Sequence, residues 1–302
     1  MKVDLVFEGG GIKGLAFVGS VCCLEDHGYE FERCAGTSSG SIISTLVSVG
    51  YTGKELKKII LNTDFNKFIE NDKYNTLEST FRLMSKNGIY NNSYVYEWIT
   101  ELLSKKNKLK FKDAFLDNKS RLKIIASDIT KKDIVIMPND LINYDIDPME
   151  FEIAKAVQMS TSIPFYFQPV KLENKNSYNF IVDGGLLSNF PIWIFDVEGT
   201  PRWPTFGFNL ISDEQSYTSQ GERDIISFTT DTITTVFNRN ENIYIREKDS
   251  IRTINVPTLG VKTTDFNISK ELILKLFDEG YKSTETFLNT WNFEEYLHTY
   301  RM

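Results

Sequence analysis

The sequence predicts an α/β fold with a mostly parallel central sheet and a helical insertion, and two observations carry that prediction. Within the first fifty residues, apolar runs of strand length alternate twice with apolar runs of helix length, and a glycine-rich turn stands at each strand-to-helix junction. Such dense alternation marks strand–helix–strand units, whose crossovers lay parallel strands side by side. The chain can also bury a core: 302 residues, 41% hydrophobic and 25% charged, exclude a disordered or fibrous chain. No repeat, low-complexity tract or linker interrupts it, so one domain is the economical reading.

Residues 3–7 are apolar except for Asp4 and read as the first strand. Residues 12–24 are apolar on nearly every face, as a buried helix is. Its small residues Gly14, Ala16, Gly19 and Ser20 allow close packing, and His27-Gly28 supplies the stop. Residues 31–35 form a second strand and 41–49 a second apolar helix. From 51 to about 116 the pattern becomes helical, amphipathic and lysine-rich, with stripes such as Leu56, Ile59, Ile60 and Val95, Trp98, Ile99, Leu102, Leu103. Strands follow at 122–127 and 134–137. A helix from 148 to about 159 runs into 160–165, where Pro164 stops it, and residues 180–182 form a short strand ending in Asp183-Gly184-Gly185. Beyond 200 the pattern predicts a strand at 205–210, a helix around 222–240, a strand near 250–256 and a long helix over 269–291.

Composition excludes several functions. The only histidines are His27 and His298, and the three cysteines are Cys22, Cys23 and Cys34, which rules out a zinc cage or a disulfide framework. A net charge of −7 argues against a general nucleic-acid binder. The first residues enter a strand directly, without a signal-peptide pattern, and no apolar run approaches the ~20 residues of a membrane span. Free cysteines without a signal predict a cytoplasmic protein.

Three motifs carry chemistry. Gly9-Gly10-Gly11-Ile12-Lys13-Gly14 lies between a strand and a helix and offers a cluster of backbone N–H groups able to hold an anion, either a phosphate or an oxyanion. As a dinucleotide fingerprint it lacks an acidic residue at the end of the next strand, since Glu30 and Glu32 precede that strand's apolar core. As a P-loop it fails, with Leu15 and Ala16 where Lys and Ser/Thr are required. Gly36-Thr37-Ser38-Ser39-Gly40 has the G-x-S-x-G pattern in the strand–turn–helix setting of a nucleophile elbow. Ser38 is the candidate nucleophile there, although serine also serves as a plain helix N-cap. A serine nucleophile needs a base. His27 sits at the wrong end of its helix and His298 in a terminal segment, which leaves a carboxylate. Asp183, after a strand and before two glycines, has the placement, and an Asp-Gly turn is its structural alternative.

GGGIKG, GTSSG and DGG in this order resemble the patatin-like phospholipases, and the similarity extends through residues 156–170 and 183–191 over roughly 4–200. The resemblance implies a three-layer sandwich with a patatin-like sheet and an insertion at about 51–116. Residues 201–302 would then be a strand–helix extension on the same domain. It implies lipid acyl hydrolysis by a Ser38–Asp183 dyad, with no metal or organic cofactor. Gly10 and Gly11 amides, with Ile12 next, would form the oxyanion hole, whose turn Gly9, Gly11 and Gly14 shape. The family often has Arg where this chain has Lys13, which keeps the charge without the planar fork.

The expected substrate is a phospholipid or other acyl ester, met by peripheral contact with a membrane. Phe65, Phe68, Ile69, Leu77, Phe81, Leu83 and Met84 read either as a mobile amphipathic cover or as core. Lys105, Lys106, Lys108, Lys110 and Lys112 read either as a headgroup patch or as a solvated helix end. Residues 163–167 read either as the lining of an acyl pocket or as close-packed core. A soluble acyl esterase or thioesterase, a nucleotide-binding module using the Gly9–Gly14 loop, and a catalytically silent relative remain as alternatives.

Overall fold

Strand β1 (Lys2–Phe7) is buried beyond its first residue, as expected of a strand covered on both faces. In the computed structural model it lies between β2 (Glu30–Thr37) and β11 (Thr205–Ile211), parallel to both. The structure describes residues 1–69, 74, 76–116, 119–174, 177–211, 232, 235, 236 and 247–300. The predicted helix around 222–240 falls almost wholly outside these residues.

The other elements are α1 (Phe17–Asp26), α2 (Ser39–Ser48), α3 (Gly53–Asn62), α4 (Thr76–Lys86), β3 (Gly88–Tyr90), α5 (Ser93–Lys105), β4 (Phe115–Leu116), β5 (Lys119–Ser120), β6 (Leu122–Asp128), β7 (Asp133–Met137), α6 (Ile153–Ser160), β8 (Phe165–Phe167), β9 (Val170–Glu173), β10 (Tyr178–Asp183), α7 (Glu247–Ser250), β12 (Thr253–Pro257), α8 (Lys270–Thr290) and α9 (Phe293–Tyr300). The large sheet runs β12-β11-β1-β2-β6-β10-β9, with β7 also on β6. From β12 to β6 it is parallel, while β7, β10 and β9 join antiparallel. The predicted α/β class with a mostly parallel sheet therefore holds.

Alternation along β1 divides the core. Val3, Leu5 and Phe7 point into the larger cluster with α1, α2 and α8, whereas Val6 joins Phe190, Ile192, Ile194 and Phe195 on the other face. Small residues let α1 and α8 meet backbone to backbone. A Cβ on Gly19 would lie 1.9 Å from the Phe277 carbonyl oxygen, and one on Gly280 would lie 1.9 Å from that of Ala16. Ser20 Oγ adds a hydrogen bond to Gly280 O at 3.1 Å. Chain segments some 260 residues apart are thus locked together.

Two predicted helices start later than their patterns. The run at 12–24 opens with a 3₁₀ turn over Gly11–Ala16 before α1. The helix predicted from 148 begins at Ile153, because the preceding backbone is occupied elsewhere: Phe151 O accepts from Phe111 N and Met149 O from Lys112 N. Thr52 and Glu55 cap α3 reciprocally.

Candidate active site

Two strands meet head-on along one edge of β6. Strand β2 pairs with its first half, ending at Thr37 opposite Ile125, and β10 pairs with its second half, ending with Asp183 opposite Ala126. Because β7 occupies the other edge of β6, β2 and β10 must share this one. They run in opposite directions, so their C-terminal ends converge. This brings together two residues 145 positions apart: Ser38 Oγ donates to Asp183 Oδ2 at 2.6 Å.

Ser38 sits on the sharp turn between β2 and α2 with φ 51° and ψ −124°. A non-glycine residue held there stores of order 1–3 kcal/mol of strain, which the surroundings must over-determine. They do so by close approach: a Cβ on Gly36 would lie 2.2 Å from Gly40 O, and one on Gly40 would lie 2.3 Å from Phe7 O. Thr37 Oγ1 donates to Ser188 O at 2.9 Å, and Ser38 N donates to Ser160 Oγ at 2.9 Å. Ser160 Oγ in turn donates to Ile125 O at 2.6 Å.

Asp183 is fully buried. Burial pushes its carboxyl up to about 7, and hydrogen bonds from Ser38 and from Gly185 N partly offset that rise. Its Oδ1 accepts from Gly185 N at 2.8 Å and its own N–H donates to Ser162 O at 2.8 Å. Gly184 O accepts from Ser127 Oγ at 3.4 Å. Neither histidine bonds to the pair. His27 Nδ1 meets Cys23 O at 2.8 Å at the far end of α1, and His298 lies in α9.

The amides of the glycine loop are not equivalent. Gly9 N donates to Asn189 O, Gly10 N to Ser39 Oγ at 3.0 Å, Ile12 N to Thr263 O at 3.1 Å and Lys13 N to Gly10 O at 3.3 Å. Gly11, at φ 57°, is left with an N–H that no acceptor takes among the described residues. Of the three amides expected to act together, Ile12 N–H is held by Thr263 and Gly10 N–H by Ser39 in this structure, and Gly11 N–H is left unengaged among the described residues. A phosphate cradle is disfavoured for the same reason. Gly14 packs against Ser39, and Lys13 is buried, which lowers its pKa despite the counteracting charge of Glu8.

Asn189 clamps the loop from outside. Its backbone carbonyl takes Gly9 N–H at 3.0 Å, while its Nδ2 donates to Gly9 O and to Glu8 Oε1, each at 3.1 Å. Asn189, Ser160 and Ser162 all lie in stretches singled out by sequence, but no local pattern tells their roles. Nothing in sequence pointed to Thr263 or Phe266.

A narrow slot of about 70 Å³ opens beside Ser38 and Gly11 and runs between Leu46, Leu56, Ile60, Phe68 and Phe266, with almost wholly apolar walls. Ile163 and Phe167 also line it. Phe68 stacks on Phe266 at 6.0 Å between ring centroids. Residues 51–116 therefore divide: Phe65 and Phe68 are core beside the slot, whereas Leu77, Phe81 and Met84 on α4 are 83%, 70% and 80% exposed. The lysine run is a solvated, paired face. Lys105 meets Glu101, Lys106 meets Glu55, and Lys110 and Lys112 both meet Glu150. The three cysteines are free and buried, and no helix among the described residues is long and apolar enough to cross a membrane.

The chain is similar to known proteins in both sequence and fold. It is 34% identical over 297 residues to uncharacterized protein YqhO of Bacillus subtilis, covering 97% of this chain and 100% of that one. It is 29% identical over 191 residues to the probable lipid hydrolase 463L of Invertebrate iridescent virus 6, covering 62% of this chain and 61% of the viral protein. In fold it is similar to VipD of Legionella pneumophila, with TM-score 0.58 and 18% identity, covering 95% of this chain and 66% of VipD. It is also similar to ExoU of Pseudomonas aeruginosa in its complex with SpcU, with TM-score 0.52 and 15% identity, covering 98% of this chain and 52% of that one. The model of the patatin-like phospholipases matches residues 5–196, and the chain belongs to that family.

Proposed function

We propose that this protein hydrolyses carboxylic esters of phospholipids or lysophospholipids through an acyl-enzyme on Ser38, with Asp183 as general base. The observation that carries this reading is the 2.6 Å hydrogen bond from Ser38 Oγ to a buried carboxylate, made at a strained strand-to-helix turn. Ser38 Oγ attacks the ester carbonyl as its proton passes to Asp183. The collapsing intermediate releases the alcohol, which takes that proton. Water then attacks the acyl-enzyme by the same exchange and frees the fatty acid. A base with pKa about 7 is matched to chemistry near neutral pH.

Gly11 N–H, free of an acceptor among the described residues, is the first oxyanion donor, and Gly10 N–H becomes the second when the Ser39 hydroxyl turns away. Each such donor contributes roughly 3–4 kcal/mol in serine enzymes. The apolar slot takes the acyl chain. The exposed stripe Leu77, Phe81 and Met84 supports contact with a lipid surface. Free thiols fit a reducing cytoplasm.

A second reading, a hydrolase of short soluble acyl esters, draws on the slot itself: about 70 Å³ is well below the roughly 300–1,000 Å³ of a ligand pocket. On the lipid reading, Phe68 and Phe266 must part to admit a long chain. A fluorophosphonate probe with mass mapping tests the nucleophile: a label on Ser38 is expected, and an unlabelled, folded protein sinks both readings. Fatty-acid release from vesicles, compared with turnover of a p-nitrophenyl butyrate, separates them.

A further inference from the structure

Glu8 stands where β1 turns into the glycine loop, and its side chain reaches both walls of that turn. Its N–H still belongs to the parallel ladder, donating to Phe208 O at 3.0 Å. The next donor of such a ladder, Leu210 N–H, would meet the Glu8 carbonyl. That carbonyl lies instead against Gly40, where a Cβ would be 2.6 Å from it. Leu210 N–H donates to Glu8 Oε2 at 2.6 Å, and the other carboxylate oxygen, Oε1, accepts from Asn189 Nδ2 at 3.1 Å. Each partner presses on the loop. Asn189 Nδ2 also donates to Gly9 O at 3.1 Å, and a Cβ on Gly9 would lie 2.4 Å from Asn189 Oδ1. A Cβ on Gly10 would lie 2.2 Å from Leu210 Cδ1 and 3.5 Å from Lys13 Cε.

The partners call for a carboxylate. Both are N–H donors, and an ionised carboxyl accepts on both oxygens, whereas an amide of the same shape turns its NH2 group against one of them. Glu8 also supplies the opposing charge for Lys13, which is 6% exposed. A buried cation stripped of its counter-charge is costly. We infer that Glu8 is a positioning residue, an anionic strap that sets the Gly9–Gly11 amides by holding Asn189 and Leu210 while balancing Lys13. Its effect on turnover rests on the ester-hydrolysis reading, but its hold on the loop does not.

Glu8→Gln tests the strap. Glu8→Asp is the second variant: it keeps the charge but is one methylene too short to bridge both donors. Thermal melts establish that each is folded. With p-nitrophenyl butyrate each should lower kcat by on the order of tenfold and leave KM within about twofold, because displaced oxyanion donors act in the transition state. Added to Asn189→Ala, Glu8→Gln should cost less than about threefold more, since both act on one loop, whereas independent roles multiply. Hydrogen exchange read by mass spectrometry needs no turnover. In a Ser38→Ala background, Glu8→Gln should speed exchange of amides 9–14 by roughly tenfold and leave those of α5 unchanged. Unchanged exchange at 9–14, losses that multiply with Asn189→Ala, or a KM that rises as far as kcat falls overturns the inference. Faster exchange at 9–14, in a protein whose native form neither cleaves esters nor takes a fluorophosphonate on Ser38, supports the strap and overturns the ester reading instead.

Discussion

Two cavities lie back to back across residues 158–163, and they are opposites. Thr161 and Ile163 face the slot beside Ser38, which is apolar and narrow, while Gln158 and Met159 face a roomier, more open groove with a more polar wall. On the Ser38 side both Asp183 oxygens are bonded and Ser160 Oγ is both acceptor and donor, while Gly11 N–H is left without an acceptor among the described residues. The end of α6 can hold one face rigid against the Ser38 turn and border an open groove with the other, because successive helical residues project about 100° apart.

The largest expected effects break the rigid face. Ser38→Ala and Asp183→Asn should each lower ester turnover by on the order of 10⁴-fold or more. Their folds should persist by circular dichroism. Asp183→Asn should also melt higher than the native protein at pH 8. With a folded pKa of about 7 against an ordinary 3.8, the folded state keeps a proton the unfolded state has released, so stability falls as pH rises across that window. Removing the carboxylate cancels that loss above pH 7 and does nothing below the window. A lower melting point at pH 8 would show that burial is not what raises Asp183.

Loosening the glycine loop comes next. Asn189→Ala removes the side-chain half of the clamp and should reduce kcat by on the order of 10²-fold with little change in KM, since misplaced oxyanion donors act in the transition state. Equal damage to both constants would assign Asn189 to substrate binding instead. The pH profile is of similar size. Below pH about 7, kcat/KM should fall about tenfold per unit as Asp183 gains its proton.

Widening the apolar slot is gentler on catalysis. Phe266→Ala should cost about 3 kcal/mol of stability and move ester preference several-fold toward longer chains in a series of p-nitrophenyl esters. An unchanged chain-length profile would show that the acyl chain lies elsewhere. Smallest of all, replacing His27 and His298 together with Gln should leave turnover within about twofold, and a larger loss would restore a triad.

Legibility in the sequence differed along the same divide. The elbow was readable because its constraint is local: a serine at φ 51° needs neighbours without side chains, and Gly36 and Gly40 stand on either side. Asp183 was readable from its position at a strand end before two glycines. The clamp by Asn189, the Ser39 hydroxyl on Gly10 and the Thr263 carbonyl on Ile12 were not, because each joins segments distant in sequence. The insertion looked uniform in sequence, yet Phe68 is core while Phe81 is surface. Amphipathic spacing tells which residues share a face and not which face finds a partner.

The sequence by itself determined the strand–helix alternation, the G-x-S-x-G turn at Ser38 and the strand-end position of Asp183, all through short-range constraints of backbone geometry and period. Only the tertiary structure decided that β2 and β10 end against each other on one edge of β6, which loop amide stays free, and that Phe266 closes the slot. Strand order and register depend on which apolar faces pack together across the whole chain. No window of sequence contains that information, because the groups that meet are separated by up to some 260 residues.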